Sequence, residues 1–368
     1  MTDWDFLLAP STVNVRILLN EAGIVITSLK LLNVIQMHSG LGEWVSRTYE
    51  LLTDDQRRVN HVFADVADFV PQIYTALAQS KNMTFLEFID ALVACDPMDL
   101  REGVLHGIRE KGDYPGDEYV LSSKEAFIRH MYEVLSHKIA HEDQFDEAVW
   151  ALRYEYYQNP QMMVSELSAF LHLMWNNHLK EEWRRTRPML EEATDAFASL
   201  DYSDMTAFDV IETLSGRNMR GNEKFEEILT EVETLIFLPS PHLGPYIGWG
   251  PCQDARTLIL VIGARLPKNA TMQSQALSRS ELLVRLNALA DETRLKILEL
   301  LTQQEELCAQ DFITMLDLSQ SSASRHLRQL TASGYVSERR RDVAKCYSLN
   351  RDRLDDTIRA LKEFLRKA

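Results

Sequence analysis

The spacing of apolar side chains divides the chain into a long, mostly helical part and a shorter end with a more regular pattern. From residue 84 onward helical periods dominate. Thr84-Phe85-Leu86-Glu87 has the form of a capping box ahead of Phe88, Ile89, Leu92 and Val93, and Asp96-Pro97 closes that run. Lys111 to Asp117 reads as a loop. Helices are predicted from Ser122 or Ser123 to Ala140 and from Asp143 to Tyr157. A further one runs from Pro160 through Trp175 and Trp183, with Pro188 expected to break or kink it before residues 189–200. Upstream, Thr12 to Ile17 alternates and is rich in β-branched residues, as a strand would be, and is followed by apolar residues 24–37. Trp44 to Leu52 suggests a helix, with Asp54 or Asp55 as cap of the next. After Asn222 the pattern flattens. Leu235-Ile236-Phe237-Leu238 and Thr257 to Ile262 read as strands around the turn formers of residues 239–246, a small antiparallel element.

The end of the chain is patterned more tightly. Leu282, Leu286 and Leu289 share one face of a helix beginning near Ser280. Asp291 caps the next, with Leu295, Leu298 and Leu301 on its apolar face and Ile297 beside it. Glu306 to Leu316 makes a third, with Phe312, Leu316 and Ile313 inward. A fourth follows after only Asp317-Leu318, a connection short enough for a helix-turn-helix. Ser319 is its N-cap, Ala323, Leu327 and Leu330 form its apolar stripe, and Gly334 stops it. Gln320, Ser321, Ser322, Ser324, Arg325 and Arg328 lie wholly or partly off that stripe. Short hydroxyls, an amide and guanidinium groups are the set that meets phosphates and base edges in a major groove. Residues 335–340 and 344–349 read as a hairpin with Arg339, Arg340 and Arg341 near its tip, and residues 354–365 as a last helix. Helix, helix, turn, helix and basic hairpin make a winged helix-turn-helix.

The segments ADETRLKILELL, SQSSASRHLRQLTASGYV and RRRDVAKCYSL resemble the ArsR/SmtB family of dimeric bacterial transcriptional repressors, over residues 289–349. The resemblance implies a homodimer reading an inverted repeat in double-stranded DNA, with residues 319–330 in the major groove and the wing on adjacent backbone or minor groove. By position it implies DNA contacts at Ser319, Gln320, Ser321, Ser322, Ser324, Arg325, His326 and Arg328, and at Arg339, Arg340 and Arg341. Metal-sensing members carry Cys-x-Cys-Asp ahead of the recognition helix; here Cys308-Ala309-Gln310-Asp311 keeps the first thiol and replaces the second. A single thiolate is a poor soft-metal site, so no metal is expected and Cys308 is read as an ordinary buried thiol. Asp342-Val343 stands where the family's wing turn has glycine.

Charge supports the division. Residues 275–368 carry 16 basic and 14 acidic side chains, net +2, whereas the preceding 274 carry net −18 of the total −16. An acidic body with a locally basic end suits a nucleic-acid reader with an attached domain that does not bind nucleic acid. The expected fold is mainly α: residues 1–270 a helical sensor or dimerisation domain with a late β-hairpin, residues 275–368 the DNA-binding domain, and polar residues 268–274 the linker. Four cysteines without a CxxC pair suggest neither a disulfide framework nor a zinc ribbon. Asp3 and Asp5 argue against a secretory signal, and no apolar run is long enough to span a bilayer, so a cytoplasmic protein without membrane contact is expected.

The N-terminal part is similar to domains of uncharacterised type fused ahead of such modules. His137 and His141 stand at i, i+4 without a third ligand of recognisable spacing and are read as a solvated face. Trp150, Tyr154, Tyr156, Tyr157, Trp175 and Trp183 are read as core. Neither GxSxG, P-loop nor dinucleotide fingerprint occurs, and no catalytic residue or cofactor is assigned. The expected function is a regulator, a repressor, whose DNA binding responds to a small molecule or protein held by the N-terminal domain. The alternatives are an enzyme fused to a DNA-binding module and a constitutive regulator whose N-terminal domain only dimerises.

Overall fold

Polar caps and apolar stripes set the helices locally. Thr53, Thr84 and Thr206 each close a reciprocal capping box, with Gln56, Glu87 and Asp209. The cap ahead of residue 54 is therefore Thr53, not Asp54 or Asp55. The computed structural model describes residues 13–35, 38, 41–110, 114–136, 145–244, 246–250, 256–264, 279–341 and 344–367. The His137/His141 pair, the 268–274 linker and the Asp342-Val343 wing turn lie outside these described residues.

The first described element is β1 (Asn14–Ile17), followed by α1 (Glu21–Leu32), α2 (Glu43–Leu51), α3 (Asp54–Val66), α4 (Pro71–Ala78), α5 (Phe85–Ala94), α6 (Pro97–Arg109), α7 (Asp117–Val120), α8 (Lys124–Ser136), α9 (Glu147–Gln158), α10 (Pro160–Met174) and α11 (Lys180–Ala198). A π turn at Trp175–Leu179 joins α10 to α11. Next come α12 (Ala207–Ser215), α13 (Glu223–Leu229), β2 (Thr234–Ser240), β3 (Ile247–Gly250) and β4 (Thr257–Gly263). The last elements are α14 (Arg279–Leu289), α15 (Glu292–Gln303), β5 (Leu307–Cys308), α16 (Ala309–Leu316), α17 (Gln320–Ser333), β6 (Val336–Arg341), β7 (Ala344–Leu349) and α18 (Arg351–Lys367). The protein is mainly α, and it ends in a winged helix-turn-helix. Pro188, expected as a break, lies inside α11, which continues past it.

The described residues form two compact units, one of residues 19–188 with 240–243, the other drawn from residues 1–18, 189–239 and 244–368. In the first, Phe63, Phe85, Phe88, Phe127, Tyr156 and Tyr157 are fully buried, and Trp175 and Trp183 pack with them as core. A buried polar network crosses this core. Ser28 Oγ lies 2.9 Å from His242 Nδ1, and His242 Nε2 lies 2.8 Å from Glu182 Oε1. Trp44 stacks on the imidazole at 4.8 Å, and Gly42 N donates to His242 O at 2.8 Å. A Cβ on Gly42 would stand 3.0 Å from the His242 Cα, so the close approach needs glycine. Burial lowers the His242 pKa below its ordinary value. Burial works to raise the Glu182 carboxyl, but hydrogen bonds from His242 and Arg185 override it and hold it at about 2. Nε2–H donates to the ionised Glu182, which leaves Nδ1 as an acceptor, and the single Ser28 hydroxyl proton is shared between Nδ1 and Ile24 O, 3.0 Å away.

In the second unit, a sheet of order β1-β2-β4-β3 packs on α12, α13 and the end of α11 through Phe197, Ile211, Leu214, Phe225, Phe237 and Leu260. β1 runs parallel to β2, with Asn14 opposite Thr234 and Ile17 opposite Phe237. β3 and β4 are antiparallel. The β element is thus larger than a late hairpin, because it recruits the strand at the start of the chain. Central strands buried on both faces show a continuous apolar run and no alternation, so their pattern carries no sign of a distant partner. A separate core under the winged helix is made by Ile297, Leu301, Leu307, Phe312, Leu327, Leu330 and Tyr335. In α15 Ile297, Leu298 and Leu301 are buried, and Leu295, expected inward, is 51% exposed.

Candidate nucleic-acid interface

The recognition helix α17 is fixed from its inner side. Ser319 caps it, accepting from Ser322 N at 3.2 Å, and Gly334, at φ 79°, ends it. Ala323, Leu327 and Leu330 are each at most 1% exposed. Arg294, itself buried, ties the helix to its neighbours: Nε donates to Ala288 O at 2.6 Å, Nη2 to Asn287 O at 2.8 Å and Nη1 to Gln329 Oε1 at 2.9 Å. Burial lowers the Arg294 pKa, and the nearby Asp291 carboxylate opposes that effect. At the far end Arg353 Nε donates to Ser333 O at 3.1 Å, and Arg217 Nη1 donates to Thr331 O. The Tyr335 hydroxyl reaches Arg285 O and Thr357 Oγ1, both at 3.1 Å. A helix held at both ends and along one side presents its other side in a defined orientation.

That other side carries most of the residues expected there. Gln320, Ser324, Arg325 and Arg328 are exposed, while Ser321 and Ser322 are half-buried along the first turn. Arg325 and Arg328 form no ion pair with another described residue. His326 departs from the expectation. It is 7% exposed, with Nδ1 3.5 Å from Asp291 Oδ1, and burial lowers its pKa. One position before Leu327 and three after Ala323, it falls on the core side of the helix. It does not share the exposed face with Arg325.

The wing is the β6–β7 hairpin, with Arg339 opposite Cys346 and Arg341 opposite Ala344. β5 lies on the outer side of β7, pairing Leu307 with Tyr347 and Cys308 with Cys346. The third helix therefore does not start at Glu306: residues 307–308 form a strand, and α16 begins at Ala309. Asp311 accepts the Cys308 N–H at 2.7 Å, which spends this carboxylate on capping α16. Glu306 grips Arg339, with Nη2 to Oε1 at 3.0 Å and a second hydrogen bond from Nε, and lies 3.9 Å from Arg341 Nη1. Its pKa is lowered, chiefly by the hydrogen bond from Arg339. Arg340 pairs through its backbone with Lys345.

The cysteines require a correction. Cys308 and Cys346 form a disulfide, with Cα atoms 3.8 Å apart. Cys308 is half-buried, and Cys346 is fully buried. Cys308 is therefore not the ordinary buried thiol expected from the sequence, because strand register, not sequence spacing, brings it to Cys346. Arg294, Arg353, Arg217 and Glu306 also went unrecognised; an arginine that spans carbonyls of other elements leaves no periodic trace. No group of three or more His, Cys, Asp or Glu side chains suited to a metal occurs among the described residues.

Comparison with known proteins bears on this module. The family model described as "Bacterial regulatory protein, arsR family" matches residues 291–338, from the α15 cap into β6. The arsenical resistance operon repressor of Escherichia coli K12 is 51% identical over 62 residues, covering 17% of this chain and 53% of that protein. A putative arsenical resistance operon repressor of Halobacterium salinarum is 48% identical over 56 residues, covering 15% and 43%. The chain thus spans about half the length of these curated relatives. An arsenical resistance operon repressor of Staphylococcus aureus is 38% identical over 85 residues, covering 23% of this chain and 81% of its own length. With the elements in order, the recognition helix capped at Ser319 and stopped at Gly334, and most of a whole relative aligned, this chain belongs to the arsR family of bacterial regulatory proteins.

Proposed function

We propose that this protein is a DNA-binding transcriptional repressor of arsR type, acting in the cytoplasm as a homodimer on an inverted-repeat operator. Residues 275–368 are the DNA reader, and residues 1–270 take up the effector, a small molecule or a partner protein. The observation that carries the reading is the outer face of α17: Gln320, Ser324, Arg325 and Arg328 stand exposed on a helix whose inner face and both ends are held. Such a face suits phosphate and base-edge contacts in a major groove. Repression is supported by the names of the relatives. The arsenical in those names is not carried over, since Gln310 stands where metal-sensing members have their second thiol. A homodimer is supported by α18, whose Ile358 and Leu365, at i and i+7, are 50% and 65% exposed. No described helix is long and apolar enough to cross a membrane.

An enzymatic role for the helical part gains little from the Ser28–His242–Glu182 network. Its hydrogen bonds follow the order of a nucleophile relay, but Ser28 is 2% exposed in the interior of α1, out of reach of a substrate. The test of the repressor reading is gel retardation of the gene's own upstream duplex against a scrambled duplex. Preferential retardation with steep salt dependence is expected; equal affinity for both duplexes overturns sequence-specific repression.

A further inference from the structure

The Cys308–Cys346 pair lies inside the DNA-reading module, and its place there says what it does. Cys308 is the N-cap of α16, the first helix of the helix-turn-helix, and Cys346 is the central residue of one row across the wing sheet, between Cys308 on β5 and Arg339 on β6. The bond closes a covalent loop that contains α16, the turn, α17 and β6. Apart from that bond β5 is a strand of two residues. Two residues ahead of Cys308, Glu306 holds Arg339 and stands beside Arg341. The disulfide therefore ties down the short segment that carries the carboxylate neutralising two wing arginines. Disulfides in proteins of reducing compartments are usually transient and redox-sensing, not structural staples.

We propose that Cys308 and Cys346 are a reversible dithiol–disulfide site which sets the charge the wing offers to DNA; this rests on the repressor reading above. The co-reactant is a low-molecular-weight disulfide. The half-buried Cys308 thiolate attacks one sulfur of that disulfide, forming a mixed disulfide and releasing one small thiol. The Cys346 thiolate then attacks the Cys308 sulfur, closing the pair and releasing the second small thiol. Two protein thiols are oxidised, one small disulfide is reduced to two thiols, and the two protons pass to the released thiolates. In the oxidised protein Glu306 stays tethered on Arg339 and Arg341. After reduction β5 keeps its backbone pairing, the Cys308 N–H bond to Asp311 and the packing of Leu307 but loses its covalent tie, so a phosphate can draw Arg339 away while Glu306 withdraws.

The experiment uses the full chain, reduced with a dithiol or treated with oxidised glutathione, together with Cys308→Ser and Cys346→Ala. Oxidation should remove two of the four titratable thiols of the wild type. It should slow hydrogen exchange in β5 and β7, and make the salt slope of operator binding shallower by about 1 to 2, one step of ~0.9 for each masked arginine. The variants should behave as the reduced protein under both conditions. Failure of the pair to form, unchanged exchange, or equal salt slopes for the two forms overturns the proposal; the wild-type comparison decides even if a variant fails to fold. Absence of retardation by both forms on every duplex would instead count against the repressor reading, and the exchange measurement would still judge the switch.

Discussion

Replacement of Arg325 and Arg328 by alanine separates an electrostatic interface from a merely basic surface. Both side chains are exposed, and neither is engaged in an ion pair with a described residue, so the fold should change little in stability; exposed substitutions of this kind stay within about 0.5 kcal/mol. Each phosphate that is no longer neutralised lowers the slope of log K against log salt by about 0.9 on duplex DNA, so the slope of the double variant should fall by about 1.8. Between about 50 and 150 mM salt that difference alone changes the ratio of wild-type to variant affinity about sevenfold. The assay is fluorescence anisotropy of a labelled operator duplex at several salt concentrations, repeated on a scrambled duplex, with thermal melts as a fold control. If one arginine instead reads a guanine, its removal should cost about 1–3 kcal/mol on the operator alone and spare the scrambled duplex. Unchanged slope and affinity on both duplexes, with melting intact, would refute the placement of the interface on α17.

Removing the wing's internal anion should act in the opposite direction. Glu306→Gln is expected to steepen the salt slope by about 1 to 2 as Arg339 and Arg341 become available to phosphates, and a shallower slope would contradict the masking. His242→Ala should destabilise the helical unit by about 3 kcal/mol or more in denaturant titrations followed by tryptophan fluorescence, because it leaves the Glu182 carboxylate short of a partner and opens a void beside Trp44; a destabilisation below about 1 kcal/mol would show the network to be dispensable. Acidification should weaken the same unit. The folded-state pKa of His242 is lowered, so the unfolded chain takes up that proton first as pH falls below its ordinary value near 6.5. The Glu182 carboxyl, held at about 2, contributes stability present above its ordinary 4.5 and lost as pH falls toward 2. Both contributions have the same sign, so melting temperature should fall from pH 7 to pH 4, and a rise over that interval would refute the assignment.

The winged helix was legible in the sequence because everything that builds it is local. A cap at Asp291, a cap at Ser319, the stripe Ala323, Leu327 and Leu330, and the stop at Gly334 all act within a few residues of one another, and each stands where the sequence placed it. Capping and amphipathic burial are short-range effects that leave a periodic trace. The exposed cations at 325 and 328 followed from the same period. His326, counted among the DNA contacts on the family resemblance and not on the period, lies against Asp291.

The remaining features depend on interactions between residues distant in the chain. β1 lies beside β2 although more than 200 residues separate them, and an apolar run names no partner. Ser28, Glu182 and His242 come from three separate segments, and only packing sets them within hydrogen-bond distance. Cys308 and Cys346 show the difference most directly. Their spacing resembles no motif, yet the register of two short strands places their Cα atoms 3.8 Å apart beneath the wing. The sequence by itself determined where this protein has a nucleic-acid-reading module and which helix faces outward, because helix period and capping are local. Tertiary structure alone decided that Glu306 covers the wing arginines and that two thiols meet beside it, because strand register joins residues that no local rule relates.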